Sequence, residues 1–196
     1  MRDEILLSLI SNVSVDFEAK AEKLINKYGS FFAVAEAEAD DIAEVLGGDK
    51  ALALYIKLSA ALASRRGCDL FKFGKKHSEK EIEEYLKYLF FGLSVETVYL
   101  LSFDSSGKVL FCDRAGEGTV NISSVLPRKI LEIAKKRRAA GVIIAHNHPG
   151  GYAKASDDDI SATEMLRELL YFSGIELSAH YVVAGAECAK IAGRVK

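Results

Sequence analysis

A short apolar segment followed by two histidines constrains the fold of this chain more than any other stretch. Residues 141–145 read GVIIA, a composition that suits a strand buried on both faces of a sheet. The sequence HNHPGG follows directly, and its proline and glycines predict a loop. Residues 158–174 then show the periodicity of an amphipathic helix that ends at Gly174. Together these residues predict a strand–loop–helix unit.

The sequence on either side of this unit alternates between strand and helix patterns. Predicted strands cover residues 94–104, 108–116 and 175–185, and predicted helices cover residues 77–92 and 126–141. The helix over 77–92 opens with Ser78-x-x-Glu81, which is a capping box. This interleaving predicts an α/β (α+β) domain with a sheet flanked by helices.

The first third of the chain contains no proline and is rich in helix formers. Three helices are predicted, over residues 16–30, 31–48 and 49–67, with glycine stops at Gly29, Gly47–Gly48 and Gly67. Residues 68–75 show no clear period. We therefore divide the chain into a helical domain (1–67), a linker (68–75) and an α/β domain (76–196).

Composition excludes some classes of protein. The formal net charge is -2 and 49% of the residues are hydrophobic, which favours a core-forming protein without an overall basic surface for nucleic acid. The run KKRR at residues 135–138 is expected to be a solvated helix end. Three dispersed cysteines, Cys68, Cys112 and Cys188, predict reduced thiols. We recognise neither a signal peptide nor an apolar run of about 20 residues, and so expect a cytoplasmic protein without membrane contact.

The two histidines after the buried strand predict a metal site. His146 and His148 are two residues apart, so a strand end directs both imidazoles to one face. One turn of the following helix brings Asp159 back toward them. Two imidazoles and a carboxylate leave the fourth position of a tetrahedral zinc site open to water, and such a site is suited to hydrolysis.

Each part of this pattern also has a structural interpretation. Ser156-x-x-Asp159 resembles a capping box at the start of the helix. Paired histidines often serve only as hydrogen-bonding groups. The spacing alone identifies no general base.

The combined pattern resembles two related families. H-x-H, seven residues, then S-x-x-D is the metal motif of the JAMM (MPN-domain) metalloproteases. The wider context, with GTVN at 118–121, PRKI at 127–130 and HNHP at 146–149, is similar to the bacterial RadC family, whose members are labelled DNA repair proteins. The resemblance extends over residues 76–196 and implies a JAMM/MPN-like mixed sheet with cytidine deaminase-like layering. The helical first third is similar to that family's helix-hairpin-helix module.

The resemblance also implies roles for individual residues. Glu96 occupies the place of the glutamate at the start of the first strand, which serves as general base and acid, and Glu117 is a less favoured rival. Ser156 would stabilise the oxyanion as well as cap the helix. His146, His148 and Asp159 would hold Zn²⁺.

The chain departs from the family pattern at four positions near the site. Gly150 stands in place of a serine, Tyr152 in place of an acid, and Ala155 in place of a proline. Ala179 replaces the acid before His180, which could remove a partner of the metal ligands. His180 itself is expected to be a structural histidine rather than a ligand.

The helical region retains part of a phosphate-binding hairpin, G-x-G-x-x-K-A. Gly47, Lys50 and Ala51 match, but Val45 replaces the first glycine, and valine does not readily adopt a positive φ. DNA contact through this region is therefore expected to be weak.

These residues support two hypotheses. The favoured one is a zinc-dependent hydrolase of the JAMM type acting on an amide or isopeptide bond of a peptide or protein substrate. The alternative is a non-catalytic protein that uses the same fold as a scaffold on DNA or in a repair complex.

Overall fold

A computed structural model describes residues 3–118 and 125–191. The N-terminal helices are α1 (Glu4–Ser11), α2 (Phe17–Tyr28), α3 (Phe31–Glu36), α4 (Ala39–Val45) and α5 (Lys50–Leu70). The remaining elements are α6 (Glu79–Phe90), β1 (Thr97–Phe103), β2 (Val109–Glu117), α7 (Val125–Lys136), β3 (Gly141–Asn147), α8 (Asp157–Tyr171), β4 (Glu176–Ala184) and β5 (Glu187–Lys190). The mixed α/β fold preceded by helices is therefore confirmed. The sequence analysis missed α1 and β5.

The predicted helix over residues 31–48 is two helices, so that prediction was wrong. Backbone at Ala37 is extended, and α3 ends there. The Lys57 ammonium, which comes from α5, donates hydrogen bonds to the carbonyl oxygens of Ala35 and Ala37. Because this contact gives the freed carbonyls a partner from another helix, it stabilises a break that local helix propensity does not predict.

The helix predicted to stop at Gly67 continues to Leu70, into the segment assigned as a linker. Gly67 is buried, and a Cβ added there would overlap the Tyr88 ring of α6. The glycine therefore serves the close approach of α5 and α6 rather than the end of a helix. The domain boundaries remain a prediction.

The sheet has five strands in the order β2-β1-β3-β4-β5. The β1–β2, β1–β3 and β4–β5 pairs are antiparallel, and β3 and β4 are parallel. Every residue of the central strand β3 is buried, as its composition predicts. The site therefore forms at the carboxyl end of the most enclosed strand of the sheet.

Helices cover both faces of the sheet. Val98, Ile144 and Leu177 share one core with residues of α7 and α8. Leu101, Ile143 and Tyr181 share the other core with residues of α6. A separate core fills the helical region. In the two described ranges, no helix combines the length and the apolarity needed to cross a membrane.

The basic run lies at the end of α7, and three of its four side chains are exposed as predicted. Lys135 and Lys136 are exposed in the last turn, and Arg138 is exposed just beyond it. Arg137 is half-buried, donates to Asp113 and lies over the Phe111 ring. Its guanidinium is therefore engaged within the fold.

Candidate metal centre

The strand–loop–helix unit brings three potential ligands together. β3 and β4 pair in parallel through Asn147, and the backbone N–H of His148 donates to the carbonyl of Val183, so strand-like backbone carries both histidines. α8 starts at Asp157, which places Asp159 in its first turn. His146, His148 and Asp159 each offer one donor atom, and these three atoms lie within 4.8 Å of one another.

Individual distances show how closely the donors converge. His146 Nε2 lies 3.1 Å from His148 Nε2 and 3.1 Å from Asp159 Oδ1. His148 Nε2 lies 3.5 Å from Asp159 Oδ2. His146 and Asp159 are buried, whereas the His148 side chain is 25% exposed. The group is thus open toward solvent on the His148 side.

Asp159 is held as an anion by its position in the capping box. Its Oδ2 accepts hydrogen bonds from the backbone N–H and the hydroxyl of Ser156, both at 2.7 Å. Burial raises the pKa of the Asp159 carboxyl, but the close contact with His146 and the hydrogen bonds from Ser156 outweigh that effect and hold the pKa well below its usual range. Oδ1 therefore remains available as a charged donor beside the histidines.

The structure places Ser156 as the predicted N-cap of α8. Its hydroxyl oxygen accepts from the backbone N–H of Asp159, and its proton is donated to the Asp159 carboxylate. A hydroxyl has one proton to donate, so binding an oxyanion would require it to release Asp159. The oxyanion role of Ser156 remains a prediction.

His148 is held by the backbone of the loop. Its Nδ1 lies 3.3 Å from the carbonyl oxygen of Tyr152, and a carbonyl only accepts, so Nδ1 carries the proton and Nε2 carries a lone pair. The Tyr152 side chain is 85% exposed. The departure from the family pattern at Tyr152 therefore leaves the orientation of His148 intact.

His180 lies behind His146 in the middle of β4. Its Nε2 is 2.9 Å from His146 Nδ1, and its Nδ1 is 2.7 Å from the Thr163 hydroxyl. Burial and, to a smaller extent, the neighbouring His146 lower the pKa of His180 to about 3, so the ring is neutral. His180 is not one of the three converging donors. It contacts a candidate ligand instead of acting as one.

The replacement of the family's acid by Ala179 does not leave His180 without a partner. Ala179 is buried in the core that contains α6, on the opposite face of the sheet from His146. Thr163 of α8 supplies the hydrogen bond to His180 instead.

Glu96 lies beside the candidate metal centre, directly before β1. It is half-buried and lines a small cavity together with His146, Asp159 and His180. The volume of this cavity, about 10 Å³, matches a single water molecule. Register explains the placement, because Val98 pairs with His146 and Glu96 lies two residues earlier on the same face.

The side chain of Asn147, between the two histidines, brackets Glu96. Its Oδ1 accepts from the Thr97 backbone N–H at 2.8 Å, and its Nδ2 donates to the Val95 carbonyl at 3.3 Å. Asn147 is buried. The metal-binding strand therefore fixes the backbone on both sides of the candidate base.

Glu117, the rival base, is placed less favourably. Its carboxylate forms an ion pair with Arg114 at 2.7 Å, its side chain is 52% exposed, and it does not line the cavity of Glu96. This geometry favours Glu96.

The loop after His148 is also held by the helical region. Gly150 has a φ of 66°, and its backbone N–H donates to Glu36 Oε2 at 3.0 Å. Glu36 also accepts from the backbone of Gly185, at the β4–β5 turn. A side chain just before the break between α3 and α4 thus joins two turns beside the sheet.

The turn that was expected to bind phosphate weakly has positive φ values of 71° at Gly47 and 94° at Gly48. Val45 is the last residue of α4. The Asp49 carboxylate caps α5 through the Leu52 N–H and pairs with Lys20 at 3.0 Å. A carboxylate at a helix N-terminus disfavours a phosphate at the same place. DNA contact through this region remains a prediction without support from the turn.

Comparison with known proteins identifies the family. Residues 76–194 match the RadC-like JAB domain, which is more than half of the chain. The chain belongs to the RadC family. A UPF0758 protein of Herminiimonas arsenicoxydans is 28% identical over 95% of this chain and 85% of its own length. A UPF0758 protein of Janthinobacterium sp. (strain Marseille) is 30% identical over 84% of this chain and 74% of its own length.

Membership of the RadC family confirms the resemblance seen in the sequence. The JAB domain accounts for the mixed sheet, and the buried His-His-Asp group is of the kind that binds metal. Sequence reasoning missed the contacts of Asn147 and Thr163. Thr163 could have been found from its spacing, because it lies four residues after Asp159 and so on the same face of α8.

Proposed function

We propose that this RadC family protein is a zinc-dependent hydrolase that cleaves an amide or isopeptide bond in a peptide or protein. The spacing of the three donor atoms carries the proposal. Ligand atoms about 2.0–2.1 Å from a tetrahedral zinc ion lie about 3.3 Å from one another. His146 Nε2 lies 3.1 Å from both His148 Nε2 and Asp159 Oδ1, and His148 Nε2 lies 3.5 Å from the other carboxylate oxygen, Oδ2. With one atom taken from each residue, all three donors lie within 4.8 Å of one another, so they can close on one ion with small side-chain adjustments.

The chemistry of the donor set fits zinc. His148 presents an unprotonated Nε2, and Asp159 is held as an anion beside it. Nitrogen and carboxylate donors suit zinc, and three protein ligands are typical of catalytic rather than structural zinc sites. Zinc bound there would supply Lewis-acid chemistry, lowering the pKa of a bound water and polarising a carbonyl.

The residues around the donors would move protons. Glu96 would accept a proton from the attacking water and pass it to the leaving amine, because its side chain lines the cavity beside His146 and Asp159. Ser156 would support the oxyanion if its hydroxyl turned away from Asp159.

Metal content tests the ligand set. Purified protein dialysed against zinc should hold close to one zinc ion per chain, measured by elemental analysis. His148→Ala should lose that ion, because two donors hold zinc far less tightly than three. His77→Ala, which changes a histidine before α6, is the matched control and should retain it. No zinc in the unaltered protein would contradict the proposal, and salt-dependent DNA affinity of that metal-free protein would instead support the scaffold alternative.

Turnover tests the base. Glu96→Gln should keep zinc but lower cleavage in a peptide and isopeptide library by at least about 100-fold, because the amide cannot accept the proton. Glu117→Gln is the control and should cleave normally. Cleavage by Glu96→Gln at the normal rate would remove Glu96 as the base.

A further inference from the structure

Four buried groups form a continuous hydrogen-bonded chain behind the metal centre. The Thr163 hydroxyl lies 2.6 Å from the Asp159 carbonyl oxygen and 2.7 Å from His180 Nδ1. His180 Nε2 lies 2.9 Å from His146 Nδ1. The chain therefore begins at the backbone of one candidate ligand, Asp159, and ends on the ring of another, His146.

The position of each proton in this hydrogen-bonded series can be assigned by starting at the Asp159 carbonyl. A carbonyl oxygen only accepts, so the hydroxyl proton of Thr163 lies toward Asp159. The Thr163 oxygen then accepts, and Nδ1 of His180 donates to it. The His180 ring is buried and neither of its hydrogen bonds goes to a carboxylate, so it carries a single proton. Nε2 of His180 is left with a lone pair.

The proton of the hydrogen bond between His180 and His146 can be assigned in the same way. Because Nε2 of His180 accepts, the proton between the two rings belongs to His146 Nδ1. His146 Nε2 is then unprotonated and faces His148 Nε2 and the Asp159 carboxylate. Reversing the chain would leave two oxygens, those of Thr163 and Asp159, 2.6 Å apart without a proton between them.

We infer that His180 and Thr163 are positioning residues, which hold His146 in the tautomer and ring orientation that present Nε2 to the metal. The inference rests on the metal-binding part of the proposed function. Helix α8 then has two roles. It supplies Asp159, and through Thr163 it fixes the His180 ring that contacts His146.

Replacing Thr163 tests the direction of the chain. Thr163→Val removes the hydroxyl with little change of shape, so His180 loses the acceptor for Nδ1–H and the proton moves to its Nε2. His180 then donates to His146, which must carry its own proton on Nε2. Thr163→Ser retains the hydroxyl and is the matched control. Ile144→Val, which removes one methylene group from the lining of the cavity that His146 and His180 share, controls for packing.

Imidazole nitrogen NMR of the metal-free protein near pH 8 reads the tautomers directly. We expect His180 as the Nδ1–H tautomer in the unaltered protein, in Thr163→Ser and in Ile144→Val, and as the Nε2–H tautomer in Thr163→Val. An Nε2–H tautomer of His180 in the unaltered protein would overturn the inference. This measurement needs no metal and no substrate, so it separates failure of the inference from failure of the proposed hydrolase.

Zinc affinity, measured by competition with a chromophoric chelator, gives the second readout. Thr163→Val and His180→Leu should bind zinc about 10–100-fold more weakly than the unaltered protein, and the two control variants should match it. Circular dichroism establishes that each variant is folded, and if His180→Leu is not, the valine and serine pair at Thr163 decides. Equal zinc affinity of folded Thr163→Val and Thr163→Ser would overturn the inference.

Discussion

Asn147 is the residue through which the metal-binding strand reaches the candidate base. Each backbone group that it binds is adjacent to Glu96 in the chain, one before it and one after it. At this end of β1 the amide side chain takes over the pairing between strands that the backbone provides further along. A change at Asn147 therefore acts on the candidate base without removing a candidate metal donor.

We predict that Asn147→Ala keeps zinc but lowers kcat about 10–100-fold, because small displacements of a catalytic group have effects of this size. Hydrogen exchange of the Thr97 amide should become faster, since that N–H loses its buried acceptor. Asn26→Ala, an exposed change on α2, is the control. An unchanged exchange rate at Thr97 would show that Asn147 does not hold this segment.

Among the residues of the candidate site, the sequence predicts contacts between residues that lie close together in the chain. His146 with His148, and Ser156 with Asp159, follow from the periods of a strand and a helix. The bond between Asn147 and Thr97 spans 50 residues, so it depends on strand register, which a single sequence does not specify.

Among the elements, α5 and α6 show how one glycine sets the distance between two helices. Gly67 of α5 lies against the Tyr88 ring of α6. The two helices are in contact at the point where α5 continues past its predicted end at Gly67. Any side chain at this position must displace either the ring or the helix.

We predict that Gly67→Ala lowers the free energy of unfolding by about 1–3 kcal/mol through overpacking, although alanine favours helix more than glycine does. Urea unfolding measures the change. In a Tyr88→Ala background the same substitution should be neutral or stabilising, because the ring is no longer in the way. A loss of equal size in both backgrounds would contradict the packing explanation.

Helix starts in this chain are more predictable than helix ends. The capping boxes at Ser78 and Ser156 form as their sequences indicate, because both partners lie within one turn. The break after α3 depends on Lys57, which comes from another helix, and the course of α5 past Gly67 depends on Tyr88 of α6. Tertiary contacts of this kind are not visible in local propensity.

In the whole molecule, Glu36 connects the helical region to the metal-site loop. Its half-buried carboxylate accepts from Gly150 and Gly185, and Phe32 lies close to Gly185. Burial raises the pKa of Glu36, while the two backbone hydrogen bonds oppose that rise. The helical region thereby takes part in shaping the loop beside the candidate metal centre.

The raised pKa of Glu36 gives stability a pH dependence. The folded protein favours the protonated carboxyl, so this contribution is fully present below the unfolded-state pKa of about 4.3 and is lost as pH rises through the folded-state pKa. Glu36→Gln cannot ionise, and its stability relative to the unaltered protein should rise between about pH 4 and pH 7. Urea unfolding at both pH values measures it.

Glu22→Gln, an exposed change on α2, is the control for Glu36→Gln and should show no such trend. If Glu36→Gln and Glu22→Gln respond to pH alike, the carboxylate of Glu36 does not carry the effect. The sequence could not have indicated this link, because Glu36 and Gly150 lie 114 residues apart.

The closeness of the three candidate ligands in the sequence has a consequence for the order in which the site assembles during folding. His146, His148 and Asp159 all lie within one short segment, so closing them around an ion requires little loss of chain entropy. Glu96 and His180 arrive from remote strands, only after the sheet has assembled. We therefore expect the three candidate ligands to be able to close around an ion early in folding, and the candidate base to join them only once the sheet has formed.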